Sequence, residues 1–222
     1  MKIAITGGIG SGKSYVCRLL EQHGIKVYDC DAAAKRLMRT SPQLQHNLKQ
    51  LVGDDVYSAD GQLQKRVLAD FLLASESNKI AVNNVVHPAV AADFNASGME
   101  WLESAILFES KFDQRVDFDK VVCVAAPQDV RIQRIMNRDN ISVERAAEWI
   151  AAQMPQEEMQ RRSSFVINND GVGDLEQQIS QVLAQCKLQD RARHDWAEAH
   201  ISFSRVLLPT SKMAIKNKII NN

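Results

Sequence analysis

The sequence predicts an α/β fold built on a parallel sheet, and three observations carry that expectation. Lys2 to Thr6 (KIAIT) is a short apolar run with β-branched residues, as a strand buried on both faces should be. A glycine-rich loop, a stretch of helical spacing and a second short strand follow it directly, and such a crossover makes the two strands parallel. Later apolar runs at Lys120 to Ala125 (KVVCVA) and Phe165 to Asn168 extend the same sheet.

The elements follow in order. Gly7-Gly8-Ile9-Gly10-Ser11-Gly12-Lys13-Ser14 matches the phosphate-cradling pattern G-x-x-x-x-G-K-[ST], and it stands between strand and helix, where the pattern has meaning. Lys13 to His23 carries Val16, Leu19 and Leu20 at helical spacing, and Gly24 stops it. Ile25 to Tyr28 makes the second strand, ending at Asp29-Cys30-Asp31. A helix over Ala32 to Met38 follows, for which Asp31 stands where an N-cap would. Ser41-Pro42 breaks it and opens another helix through about Leu51, Asp60-Gly61 marks a turn, and Leu63 to Leu73 and Asn78 to Val86 again read as helical. Residues 32–97 are therefore expected to form a mainly helical insertion. Met99 to Phe108, with the apolar run Ala105-Ile106-Leu107-Phe108, is expected to give the third strand. Pro127 opens a helix over Gln128 to Arg138. With the next one, after the Asn140 to Ser142 turn, it carries Arg131, Arg134, Arg138 and Arg145. Gly171 to Gly173 precede an amphipathic helix over Leu175 to Cys186; beyond Leu188 the pattern weakens, with an exposed helix as one reading of Asp190 to Ala199.

Composition narrows the function class. At 222 residues, 45% apolar and 24% charged, the chain has room for one full core and a small inserted subdomain. Lys+Arg and Asp+Glu both total 27, so no chain-wide basic footprint favours nucleic acid or an anionic membrane, and any anion site must be local. Cys17, Cys30, Cys123 and Cys186 lie far apart without C-x-x-C spacing and read as small buried hydrophobes of a reduced chain. The first strand begins at the amino terminus, which leaves no room for a leader, and no apolar run approaches a membrane span. The expectation is a cytoplasmic protein, monomeric or weakly homo-oligomeric.

The glycine loop implies a nucleoside triphosphate. Its backbone amides, at Gly8, Gly10, Ser11, Gly12 and the start of the helix, would face phosphate oxygens. Lys13 would reach the β and γ phosphates, Ser14 would offer its hydroxyl to Mg²⁺, and Tyr15 its amide to the α-phosphate. Asn78-Lys79 continues as Ile80-Ala81, and no Asn-Lys pair in the sequence is followed by x-Asp, so a guanine reader of the Asn-Lys-x-Asp type is absent. Lys120 to Ala125 ends in Ala126-Pro127 without the carboxylate of a motor ATPase. A small-molecule kinase fits better, since Asp29 or Asp31 supplies a carboxylate at a strand tip beside the loop and the arginines can close on the transferring charge.

The loop, Asp29-x-Asp31, Asp60-Gly61 followed by Leu63 and Lys65-Arg66, His87-Pro88, Leu107-Phe108-Glu109, Arg134 with Arg138-Asp139, Gln153, and Val166-Ile167 before Asn169 and Gly171 stand in the order seen in dephospho-CoA kinases. The resemblance spans about Ile3 to Leu183. It implies transfer of the ATP γ-phosphoryl group to the ribose 3′-hydroxyl of dephospho-CoA with Mg²⁺, on a three-layer phosphate-loop kinase fold with a five-stranded parallel sheet, a helical substrate-binding insertion and a lid. The implied division is a nucleotide-binding core at 1–31, 98–127 and 163–187, a dephospho-CoA-binding insertion at 32–97, a lid at 128–162 and a tail at 188–222. The resemblance further implies Asp31 as the carboxylate acting on the 3′-hydroxyl, Arg138 as the lid arginine and His87 near the adenosine end of the acceptor; beside these, Asp29 is expected to support Asp31, and Pro88 to start the next helix at its first turn. Glu109 is expected to hold a water on Mg²⁺, pair with a cation or cap a helix. The chain departs from the family pattern at Ser163-Ser164, at Lys65 in place of arginine and at Ala105 in place of proline. Two other readings remain: a nucleoside or nucleotide kinase with another acceptor, and a nonenzymatic ATP-binding switch.

Overall fold

The computed structural model describes residues 1–188, so the expectations for the tail beyond them, including the helix over Asp190 to Ala199, lie outside the described residues. Contacts divide the chain into two units, Met1–Ile179 and Ser180–Asn222; in the second, residues 180–188 are helical. The first unit carries one parallel sheet of five strands, β1 (Ile3–Thr6), β2 (Val27–Asp29), β3 (Trp101–Glu103), β4 (Lys120–Ala125) and β5 (Phe165–Asn168), in the order β2-β3-β1-β4-β5. Helix α1 (Lys13–Gln22) joins β1 to β2; α2 (Cys30–Thr40), α3 (Pro42–Val52), α4 (Lys65–Ala74) and α5 (Glu76–Ser97) lie between β2 and β3; α6 (Gln128–Asp139), α7 (Val143–Ala151) and α8 (Gln156–Arg161) lie between β4 and β5. The β1-to-β2 and β4-to-β5 crossovers run in opposite directions along the sheet, so right-handed connections place their helices on opposite faces. Every residue of the central strand β1 is buried, which explains its unbroken apolar run.

Register brings the site together. Ile5 of β1 and Asp29 of β2 both lie beside Glu103 of β3, so the carboxyl ends of three strands meet at one level, where the chain leaves β1 for the glycine loop. Chain order reverses between β3 and β1, and that crevice is where open α/β sheets take ligands.

Three expectations are corrected. The third strand is only Trp101–Glu103; the apolar run Ala105 to Phe108 forms a turn instead, and Leu107 and Phe108 sink into the core from it. Apolar content marked burial there, not extension. Asp31 does not cap α2, because the helix begins two residues earlier than its alanine run suggests, at Cys30, and the Asp29 side chain accepts from the Ala32 amide at 2.9 Å. Pro88 does not open a helix but lies inside the 22-residue α5. Val82, Val86, Val90 and Phe94 recur every fourth residue along the buried face of α5, whereas Pro88 is exposed, so the Asn84 carbonyl it leaves unpaired can turn to water.

Helix α5 is the hub of the insertion and packs against α2, α3 and α4. It also anchors α2 to the sheet. Asp93 accepts from both the Tyr28 hydroxyl of β2 and Arg36 Nη2 of α2 at 2.6 Å, and Phe94 meets the Tyr28 ring edge-on at 5.2 Å. The first turn of α2, with Asp31 in it, is thereby held from the strand before it and the helix across from it.

Gly7, the first residue of the loop, has φ +146°, and a Cβ there would stand 2.2 Å from the Val124 backbone oxygen of β4. Neither the dihedral nor a neighbouring strand's backbone can yield cheaply. Gly7→Ala is expected to destabilise the fold by about 3 kcal/mol, measured by urea unfolding at fixed m-value.

Candidate active site

The loop from Gly7 to Ser14 is held open from outside. Arg131 of α6 donates from Nε to the Ile9 carbonyl at 2.9 Å; Arg134, one turn on, donates from Nη1 to the Gly10 and Ser11 carbonyls at 3.3 Å; Asn169, just after β5, donates from Nδ2 to the Ser11 carbonyl at 2.9 Å. Carbonyl and amide of a trans peptide point in opposite directions. With the carbonyls of Ile9 and Ser11 turned outward, the amides of Gly10 and Gly12 turn inward. Among the described residues the amides of Gly8, Gly10, Gly12, Lys13 and Ser14 find no acceptor, and the last two open α1. Successive inward amides at a helix start make an anion cradle. The Tyr15 amide is bonded instead to the Gly12 carbonyl at 3.0 Å, within the first turn of the helix. Gly12 permits a close approach: a Cβ there would lie 2.1 Å from Asn169 Nδ2.

Lys13 is buried at 9% exposure, and its Nζ stands 4.0 Å from Glu103 Oε1. Burial pushes its pKa below the ordinary lysine value; Glu103, Cys17 and Asp31 pull it back up, and Arg131 lowers it further. Burial likewise raises the Glu103 carboxyl, opposed by Lys13 and reinforced by Asp29 and Asp31. Asp31 is exposed in the first turn of α2, makes no hydrogen bond to another described residue, and is close enough to act electrostatically on both Lys13 and Glu103. A buried ammonium, a free carboxylate and an amide cradle thus share one crevice.

From Asp31 the same face of α2 continues through Lys35, Met38 and Arg39, at helical offsets of four, seven and eight residues. These three line a cavity of about 710 Å³, closed on its far side by Gly61 to Leu63 and by Lys65, Leu68, Ala69 and Leu72 of α4. Three cations over an apolar floor suit an acceptor with an anionic middle and an apolar arm.

The structure brings together Lys13, Ser14, Asp31 and the loop glycines. Arg138 stands apart: it is exposed at the end of α6 and forks onto Asp139, its Nη2 2.7 Å from Oδ2. His87 packs edge-on against Phe112 at 6.0 Å, with Nδ1 buried and without a partner among the described residues, and burial lowers its pKa. It does not line the 710 Å³ cavity. Asp29 caps α2 while facing Glu103 across the sheet. Glu109 accepts from the Met154 amide at 3.1 Å, tying the turn after β3 to the segment between α7 and α8. Among the described residues no three His, Cys, Asp or Glu side chains are grouped to hold a metal by themselves. The donors at the crevice are hard oxygens, the exposed Ser14 hydroxyl and nearby carboxylates, a set that suits a Mg²⁺ ion completing its shell with phosphates and water. No described helix is long and apolar enough to cross a membrane.

Sequence reasoning overlooked Glu103. The long apolar strand Lys120 to Ala125 ends without a carboxylate, whereas the short Trp101-Leu102-Glu103 ends in one.

A family model described as CoaE, dephospho-CoA kinase, matches residues 1–193. A dephospho-CoA kinase of Bacteroides fragilis is 44% identical over 191 residues, covering 83% of this chain and 92% of the relative, and one of Chlorobaculum tepidum is 34% identical over 194 residues, covering 81% and 92%. Among solved structures, TT1252 of Thermus thermophilus superposes with TM-score 0.68 at 34% identity, covering 83% of this chain and 97% of that one. The dephospho-CoA kinase of Campylobacter jejuni, at 20% identity, shares the fold with TM-score 0.60 over 86% of this chain and all of that one.

Proposed function

The chain belongs to the dephospho-CoA kinase family, and on that premise we propose how its own residues move the ATP γ-phosphoryl group to the ribose 3′-hydroxyl of dephospho-CoA, giving CoA and ADP. The observation that carries the reading is the juxtaposition of Lys13 and Asp31 at the carboxyl ends of β1 to β3, with the cavity beginning one helical turn beyond Asp31.

The amides of Gly8, Gly10, Ser11, Gly12, Lys13 and Ser14 surround the polyphosphate. Ser11 contributes by exchanging its present bond to the Gly8 carbonyl, and Tyr15 by sharing its helical one. Lys13 places its ammonium against the β and γ oxygens, where its low-dielectric setting strengthens the attraction. Asp31 accepts the 3′-hydroxyl proton and aims its oxygen at the γ-phosphorus. Lys35, Arg39 and Lys65 receive the acceptor's pyrophosphate, while Met38, Leu63, Leu68 and Leu72 cover its pantetheine arm. His87 stands beneath the adenosine end. Mg²⁺, held by Ser14 together with the phosphates, would offset charge on the β and γ oxygens. Arg138 leaves Asp139 when a lid formed by residues 128–162 closes over the insertion at 32–97, and it then meets the spreading charge. The setting we propose is the cytoplasm.

The experiment is an acceptor panel with purified protein, ATP and Mg²⁺. Dephospho-CoA is expected to be phosphorylated at least about a hundredfold more efficiently than nucleosides or nucleoside monophosphates, because neither fills the cavity with pyrophosphate and apolar arm together. Comparable or better turnover of a nucleoside would overturn the reading.

A further inference from the structure

Arg131 is 5% exposed, and its anchor among the described residues is the loop itself: Nε donates to the Ile9 carbonyl at 2.9 Å. Its two terminal nitrogens find no acceptor among the described residues, and no carboxylate lies within 4 Å of it. Glu157 acts on it only from farther away, and the neighbouring Cys123 thiol, pushed up by burial to about 11, is neutral near pH 7. The guanidinium lies against Gly8, where a Cβ would come within 2.3 Å of Nη2, and the Gly8 amide also has no acceptor among the described residues. Lys13 feels it as a like charge. Two buried cations therefore flank one loop, and only Lys13 has a nearby carboxylate. Burying a charge without a partner is costly, so the arrangement makes sense when an anion sits between them.

Direction along the loop follows from the same contacts. A lysine of this loop reaches the β/γ end of the nucleotide, and Arg131 shares that end because it acts on Lys13 and abuts Gly8 at the start of the loop. We propose that Arg131 is a further residue of the transfer site: while Nε holds the Ile9 carbonyl from outside the loop, Nη1 and Nη2 reach round its Gly8 edge and receive oxygens of the terminal phosphate of a nucleoside triphosphate, opposite Lys13. The proposal rests on the reading above only in that a triphosphate occupies this loop, whatever the acceptor.

The test compares binding of ADP and of a nonhydrolysable β,γ-imido ATP analogue, each with Mg²⁺, by calorimetry in wild type, Arg131→Gln and Arg131→Lys, with unfolding midpoints measured alongside. Arg131→Gln is expected to weaken the triphosphate analogue about tenfold or more and ADP by less than about threefold, since ADP lacks the phosphate concerned. Its kcat should fall while KM for dephospho-CoA holds. If Arg131→Gln does not fold, Arg131→Lys, which keeps the charge but loses the fork, is expected to lose part of the preference for triphosphate. Equal weakening of both nucleotides would make Arg131 a brace of the loop alone, and no weakening of either would remove it from the site; each overturns the proposal. Wild type that binds neither nucleotide would instead bring down the reading of the loop itself, and the proposal with it.

Discussion

Asp31→Asn is expected to lower kcat about a hundredfold or more while the affinity for ATP stays within about twofold of wild type. Asparagine preserves the size of the side chain and disturbs no hydrogen bond, since the Asp31 carboxylate makes none to another described residue and Asp29 carries the cap of α2. What it removes is a proton acceptor beside the phosphate loop. Folding should therefore be unchanged, and the loss should appear in turnover with dephospho-CoA saturating. Steady-state kinetics paired with calorimetric titration of ATP make the check. A matching loss of ATP affinity would place Asp31 in the nucleotide site, and unchanged turnover would leave it on the surface. Asp29→Ala provides the contrast: it removes the cap of α2, so its main expected cost is about 1 kcal/mol of stability.

Lys13→Ala should be the most damaging single change to catalysis, lowering kcat/KM about a thousandfold and weakening ATP binding about tenfold. The ammonium is buried beside Glu103 at the mouth of an amide cradle, so its charge acts through little water. Removing it also leaves the Glu103 carboxylate facing the phosphates without its cation, which adds repulsion to lost attraction. Lys13→Arg is expected to recover little, because a site this enclosed has no room for a planar fork longer than the native side chain. Rapid-quench turnover and ATP titration of the two variants would read both effects. Retention of near-wild-type turnover by Lys13→Ala would show that the loop holds phosphate without using this cation.

What was legible in the sequence was local. The strand, glycine loop and helix from Ile3 to Gln22 are contiguous, and the apolar pattern of β1 and β4 follows from burial on both faces, so these elements read directly. Lys13 stands out because it lies in a spacing motif; the strand tip beside it offers Asp29 or Asp31, and the family resemblance selects Asp31. The misses share a cause, namely contacts made far along the chain. Glu103 joins the site through parallel register with Ile5 and Asp29, and a three-residue strand leaves too short a pattern to announce itself beside the more apolar turn that follows. Arg131 and Arg134 stand out in the sequence only as members of an arginine cluster, and their bonds to the loop span more than 120 residues, while Arg138 of the same cluster stands on the surface beside Asp139. Pro88 looked like a helix start because prolines often are, but tertiary packing of Val82, Val86, Val90 and Phe94 carries α5 through it.

The most direct measurement is a crystal structure with an unreactive ATP analogue, Mg²⁺ and dephospho-CoA bound together. The account predicts the acceptor's 3′-oxygen at about 2.6–3.2 Å from an Asp31 carboxylate oxygen and in line with the γ-phosphorus, whose oxygens meet Lys13. An acceptor seated in the 710 Å³ cavity with its 3′-hydroxyl turned away from Asp31, or an Asp31 that contacts only solvent, would contradict it.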